Sequence, residues 1–290
     1  MQMGMTVTRS ALLAMVALFA MAGCTREASS GAPAPAKDNA TPADTSKQPP
    51  ASRDTAAAAP AIAEARDADA LAALEKMGAA LRAMDRFGLR AETSTDYVTD
   101  TGQKVAVDGH ASYQVRMPDR LVATVANDRQ EREFYYDGKS LALWSPKLKY
   151  YTVIDDVPPT IGELVTQASA KGIEFPLADL FLWGTPQAPL ESITSAFLVG
   201  PVLVEGDETD HYAFRQPGVD WQVWISRKTS LPAKVSITSL ADPAQPSYSA
   251  RLHWDRTPAS GEGAFSFKPP ADARRIEFVP VKAGTAAEAH

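Results

Sequence analysis

Apolar and polar positions alternate through "KVAVDGHASYQVRMP", residues 104 to 118. Val105, Val107, Gly109, Ala111, Tyr113, Val115 and Met117 share one phase. Lys104, Asp108, His110, Ser112, Gln114 and Arg116 share the other. A period of two predicts a long antiparallel strand with one dry face and one wet face. Gly109, in its middle, predicts a bend or bulge. Upstream the period is helical. Leu71, Leu74, Met77, Leu81 and Met84 recur at steps of three and four, which predicts a helix over Asp67 to Phe87. Downstream, strands are expected at Arg120–Asn127, Glu131–Tyr136, Ser140–Trp144 and Lys149–Asp155. Asp137-Gly138 marks a hairpin turn, because that turn needs positive φ. Helical segments are expected at Pro159–Ala170 and Pro176–Leu182. Further strands follow near Phe197–Glu205, Thr209–Arg215, Trp221–Ser226, Pro232–Ser239 and Tyr248–Asp255.

Elements in this order predict a mostly β, α+β domain over residues 67–280, followed by a loose tail at 281–290. About eleven strands at roughly 4.8 Å spacing make a sheet some 50 Å wide. The expected helices cover perhaps 600 Å² of an apolar face on the order of 1,000 Å². On that account the sheet must be strongly curved, and a hollow should remain beneath the helices. The competing reading fills that interior with Tyr, Trp and Phe side chains. Trp221 and Trp224 are three residues apart on one strand, so they must face opposite sides.

The first 66 residues follow no such pattern. Arg9 precedes an unbroken apolar run, Ala11 to Ala22, which is too short to cross a bilayer as a stable helix. Ala22 and Gly23 then lead to Cys24, the single cysteine. A basic start, a short apolar run and small residues form an export signal. Met21-Ala22-Gly23-Cys24 resembles a bacterial lipoprotein signal, which implies cleavage after residue 23 and lipid attachment to the Cys24 thiol. Two or more acyl chains would hold the protein on the membrane, at about 0.8 kcal/mol per buried CH₂. Thr25 and Arg26 after the cysteine imply, by the same resemblance, the outer membrane of a Gram-negative bacterium. Residues 24–66 are rich in Ala, Pro, Ser, Thr and Asp, with no aromatic residue. Such a segment cannot bury enough apolar area to fold, and reads as a linker spanning roughly 35 Å.

Charge removes several partners. The net charge of −6, without a Lys/Arg cluster, argues against nucleic acid and against electrostatic docking on anionic lipid. Enzyme signatures are missing too: there is no Gly-x-Ser-x-Gly and no His-Glu-x-x-His. No cofactor and no metal site is expected. "EGDETDH", Glu205 to His211, gathers four carboxylates, but its spacing fits a polar hairpin turn better than a calcium loop. His110 and His253 lie on expected wet faces.

Met117-Pro118-Asp119-Arg120-Leu121, Tyr136-Asp137-Gly138-Lys139, Leu143-Trp144-Ser145-Pro146 and Tyr151 resemble the periplasmic lipoprotein carriers LolA and LolB. "DWQVWISRKTSLPAKVSI", "LHWDR" and "FSFKPP" are similar to an uncharacterised family of predicted periplasmic proteins in that superfamily, domain of unknown function 2092. The resemblance implies a half-open antiparallel barrel with a helical lid, sheltering acyl chains.

The leading expectation is therefore a non-enzymatic envelope lipoprotein that binds a lipid or acyl chain in a curved-sheet cavity. Its lining would be Tyr113, Val115, Leu121, Val125, Phe134, Tyr136, Leu143, Trp221, Val223 and Trp254. Leu180, Phe181 and Trp183 would form the lid. The alternative is an adaptor lipoprotein without a cavity, which binds another envelope protein through a sheet edge or an exposed Trp patch. A third reading, an envelope hydrolase, needs a Ser, His or carboxylate cluster that the alternation does not suggest.

Overall fold

The computed structural model describes residues 65–173, 175–258 and 261–280. The export signal, Cys24, nearly all of the linker and the tail at 281–290 lie outside the described residues. Helix α1 spans Ala68–Arg82 and α2 spans Ile161–Ala170. The strands are β1 Arg86–Val98, β2 Lys104–Arg116, β3 Arg120–Asn127, β4 Glu131–Tyr136, β5 Leu141–Ser145 and β6 Tyr150–Ile154. After α2 come β7 Ser195–Val204, β8 Asp207–Gln216, β9 Val219–Ser226, β10 Pro232–Ser239, β11 Ser247–Asp255 and the short β12 Arg274–Arg275.

Local chemistry sets the helix starts. Asp67 caps α1 by accepting from the Asp69 N–H at 2.8 Å. Thr160 caps α2: its hydroxyl accepts from the Glu163 N–H and donates to the Glu163 carboxylate at 2.8 Å. Helix α1 ends five residues before the position its spacing predicts. Phe87 keeps the helical interval, yet it sits in β1 opposite Val115. The buried stripe Leu74, Met77 and Leu81 faces the sheet side, and α1 lies against β7 and the turn at Ala178–Phe181. A Cβ at Gly78 would come within 2.5 Å of the Gly184 nitrogen, so α1 touches backbone there and no larger residue fits.

All twelve strands form one sheet in the order β12-β6-β5-β4-β3-β2-β1-β11-β10-β9-β8-β7. The pairs are antiparallel except β12 with β6. Register carries one apolar row across the middle: Trp254, Leu89, Tyr113, Ala123, Phe134 and Leu143 are successive cross-strand neighbours. Opposed residues share a face, so this row is the dry side.

The expected strongly curved sheet and half-open barrel are corrected by this topology. β12 and β7 stand at opposite ends of the order and are not bonded to each other, so the sheet is open and lacks the strong curl. The expected shortage of cover is what fails. Beside the segment at 176–182 already expected to cover the sheet, Ile173, Phe175 and Ile193 of the irregular chain around it are also buried in the core. The sheet therefore has no need to curl in order to dry its apolar face.

Candidate functional site

The ten residues expected to line a cavity do converge, but on each other and on the covering layer. Tyr113, Val115, Leu121, Phe134, Tyr136 and Val223 are buried. Val125, Leu143, Trp221 and Trp254 are partly buried against the same cluster. Three of their polar ends are tied to the chain, while the Trp221 indole N–H is buried without a partner among the described residues. The Tyr113 hydroxyl donates to the Pro176 carbonyl, Tyr136 to the Pro158 carbonyl at 2.6 Å, and Trp254 Nε1 to the Pro232 carbonyl at 2.7 Å. Burial pushes the Tyr136 phenol up to about 12.

The expected lid residues complete the packing. Phe181 lies against Phe87 and Tyr113, with ring centroids 6.4 and 6.1 Å apart. Trp183 meets Trp221 at 5.4 Å, and Phe214 stacks on Trp221 at 4.3 Å. Arg82 donates from Nη2 to the Leu180 carbonyl at 2.7 Å and pins this stretch to α1.

The apolar-ligand cavity is thus overturned: among the described residues the open sheet encloses no closed hydrophobic chamber, and rings fill the expected space. Two concavities of about 550 and 630 Å³ both open to solvent. The first lies beside β6 and β12. The second lies on the polar face, among Glu92, Asp108, Lys234 and Arg251. The Trp patch is not exposed either. Trp224 does face away from Trp221, but His211 stacks on it at 4.1 Å and Lys234 Nζ sits 4.5 Å above its ring. Burial lowers the His211 pKa, which favours the neutral ring in that stack. Glu205, at the β7–β8 turn, approaches His253 at 3.6 Å, with Glu92 beside them. All three are solvent-accessible, and Arg251 stands 3.7 Å from Glu92. The guanidinium already supplies positive charge there.

The feature that stands out is the edge strand β7, "SAFLVGPVLV". It carries no charge over ten residues. Phe197, Leu198, Val199, Val202 and Leu203 are exposed, Leu203 by 65%. Large exposed apolar side chains on a sheet edge are unusual, because they invite pairing with another chain. The arriving chain occupies the start of this edge: Ala196 donates to the Ala65 carbonyl, and its own carbonyl accepts from Asp67 N–H at 2.9 Å. Beyond Ala196 the edge has no strand partner among the described residues.

Two devices interrupt the open part. The register slips between Leu198 and Gly200, a β-bulge. Pro201 lies opposite Asp210, in phase with Phe214 opposite Ala196. The Ala196 backbone points outward, so the Pro201 nitrogen, which has no hydrogen, also faces outward.

Acidic groups flank the strand. Leu198, Pro201 and Leu203 share a face with Tyr212, Asp210 and Glu208 on β8. The Tyr212 hydroxyl is raised above the usual phenol value, first by burial and then by Asp210, with Asp67 and Asp69 adding to it. Arg227 is bound to Asp210, its Nη2 at 2.6 Å, and Arg215 to Asp220 at 2.6 Å. Arg66 donates to the Leu190 carbonyl.

The sequence reading placed this strand correctly but missed its position at the edge. The signal was Pro201 inside a run with no polar alternation, since proline within a strand points to an edge.

No curated protein matches the chain. Among solved structures it is similar to the MucA/MucB complex of Pseudomonas aeruginosa, at 17% identity, 72% coverage of this chain and TM-score 0.39. It spans 64% of the length of that protein. It is similar to the lipoprotein LppX of Mycobacterium tuberculosis at 14% identity, covering 67% of this chain and 99% of that one, TM-score 0.39. An uncharacterized conserved protein from Thermus thermophilus shows 9% identity, 72% and 98% coverage, TM-score 0.42. A family model matches residues 70–279, most of the chain, and the protein belongs to that family, described as Predicted periplasmic protein (DUF2092).

Proposed function

We propose that the protein is a non-enzymatic envelope adaptor, tethered through lipid on Cys24, that binds another envelope protein along β7. The single observation that carries this reading is the uncharged, exposed apolar strand at the open edge of the sheet. An open edge offers main-chain groups and a row of side chains to a partner. The family's periplasmic description agrees with an envelope address. The sequence of the first 24 residues supports the lipid anchor.

The test places a photo-reactive phenylalanine analogue at position 203 of the full chain, in its native envelope. Val279, exposed in the segment that follows β12 at the other end of the sheet order, serves as the control position. A defined protein crosslinked in stoichiometric amount from 203 and not from 279 is the expected result. Equal or absent crosslinking from the two positions removes the adaptor reading. Cys24→Ala should shift the protein from the membrane pellet to the periplasmic extract. Unchanged pelleting would remove the anchor.

A further inference from the structure

We infer that the segment received by β7 is a short extended stretch of a partner protein in which apolar residues alternate with basic ones. This rests on the adaptor reading and specifies its partner. The argument begins with charge. Asp67 and Asp69 at the start of α1, and Glu208 and Asp210 on β8, flank the apolar face of β7 that carries Leu198 and Leu203. Arg227 offsets Asp210 and Arg215 offsets Asp220, which leaves the carboxylates of Asp67, Asp69 and Glu208 against Arg66, whose guanidinium is turned to the Leu190 carbonyl. The edge is thus greasy along its length and negative beside it. A segment with Lys or Arg next to its apolar residues complements both properties.

The same features disfavour a second copy of this chain. Symmetric pairing of β7 with itself would set one acidic rim against another. Pro201 would also withhold a ladder hydrogen bond in each strand, and the bulge would break the register. These are devices against edge-to-edge pairing of like with like. They leave the side chains of Phe197, Leu198 and Leu203 free for a different partner.

The experiment uses the full-length protein in detergent and two fluorescent ten-residue peptides, one alternating valine with lysine and one alternating valine with glutamate. Anisotropy at low salt should show the lysine peptide bound at least tenfold more tightly, with the gap shrinking as salt rises. The chain is negative overall, so place must be separated from bulk charge. Glu208→Lys combined with Asp69→Lys should reverse the preference. The neutral pair Glu208→Gln and Asp69→Asn should fall between, which keeps the test valid if charge reversal harms α1. Asp100→Lys with Glu277→Lys, away from β7, should leave the preference intact. Equal binding of the two peptides, or a preference that survives reversal at 69 and 208, overturns the inference. If crosslinking from 203 finds a partner whose contact segment is neutral or acidic, this inference falls and the adaptor reading stands. If crosslinking finds no partner, the adaptor reading falls whatever the peptides do.

Discussion

At one end of the sheet β6 meets a strap, the C-terminal segment 267–276, and at the other, among the described residues, the outer edge of β7 has no strand partner beyond its start. The strap closes its edge with several interactions. β12 pairs with Tyr150 and Tyr151, Arg274 donates to the Lys149 carbonyl, and Ile276 donates to that of Tyr151. Lys149 pairs with Asp272 at 2.5 Å. Phe267 packs among Tyr135, Trp144 and Tyr151. The β7 edge has only the entering residues 65–67 at its start, a bulge and a proline. A chain that can cover an edge, and does so at one end, leaves the more apolar edge bare. That contrast favours β7 as a working surface over β7 as an unfinished one.

The comparison can be broken at the covered end first. Phe267→Ala should cost about 2 kcal/mol, less than a fully buried phenylalanine because the ring is half-buried. Thermal unfolding measures the loss. Stability unchanged within error would mean that the strap is only laid on the sheet. A smaller effect is expected at the open end from Pro201→Val, which restores one outward N–H. Each new strand hydrogen bond contributes about 1 kcal/mol net. Self-association should therefore strengthen by about fivefold for each bond formed, as read by sedimentation velocity. If Pro201→Val stays as monomeric as the parent chain, the proline is not what keeps two edges apart.

The alternation made much of this fold legible. β3, β4 and β10 begin and end where the sequence pattern does. β3 and β4 pair without a break, and β10 keeps its bounds despite an irregularity between Pro232 and Lys234. The opposed faces of Trp221 and Trp224 followed from parity alone. What stayed hidden was information that no local period contains. Around the expected segment at 176–182, Ile173, Phe175 and Ile193 add cover from irregular chain that no period marks. Leaving that irregular chain out of the cover produced the false shortage and, with it, the expected barrel and cavity. β12 is two residues long and leaves no periodic trace. The edge position of β7 depends on which strand is missing beside it, a long-range property. Pro201 was the one local hint.

The smallest expected effect separates the two ends most sharply. Leu203 is 65% exposed, so its side chain has little buried area to lose when it becomes charged. Leu203→Lys should change unfolding free energy by no more than about 0.5 kcal/mol, as for surface positions in general. The adaptor reading accounts for an exposed aliphatic side chain at a position where stability does not require one. The added lysine would also face Glu208 across the register, so a slight gain in stability would not count against the reading. Chemical denaturation of the variant beside its parent decides the point. A loss above about 1 kcal/mol would show that Leu203 belongs to the structural core, and β7 would then be an edge held by its own packing, with no apolar surface to spare.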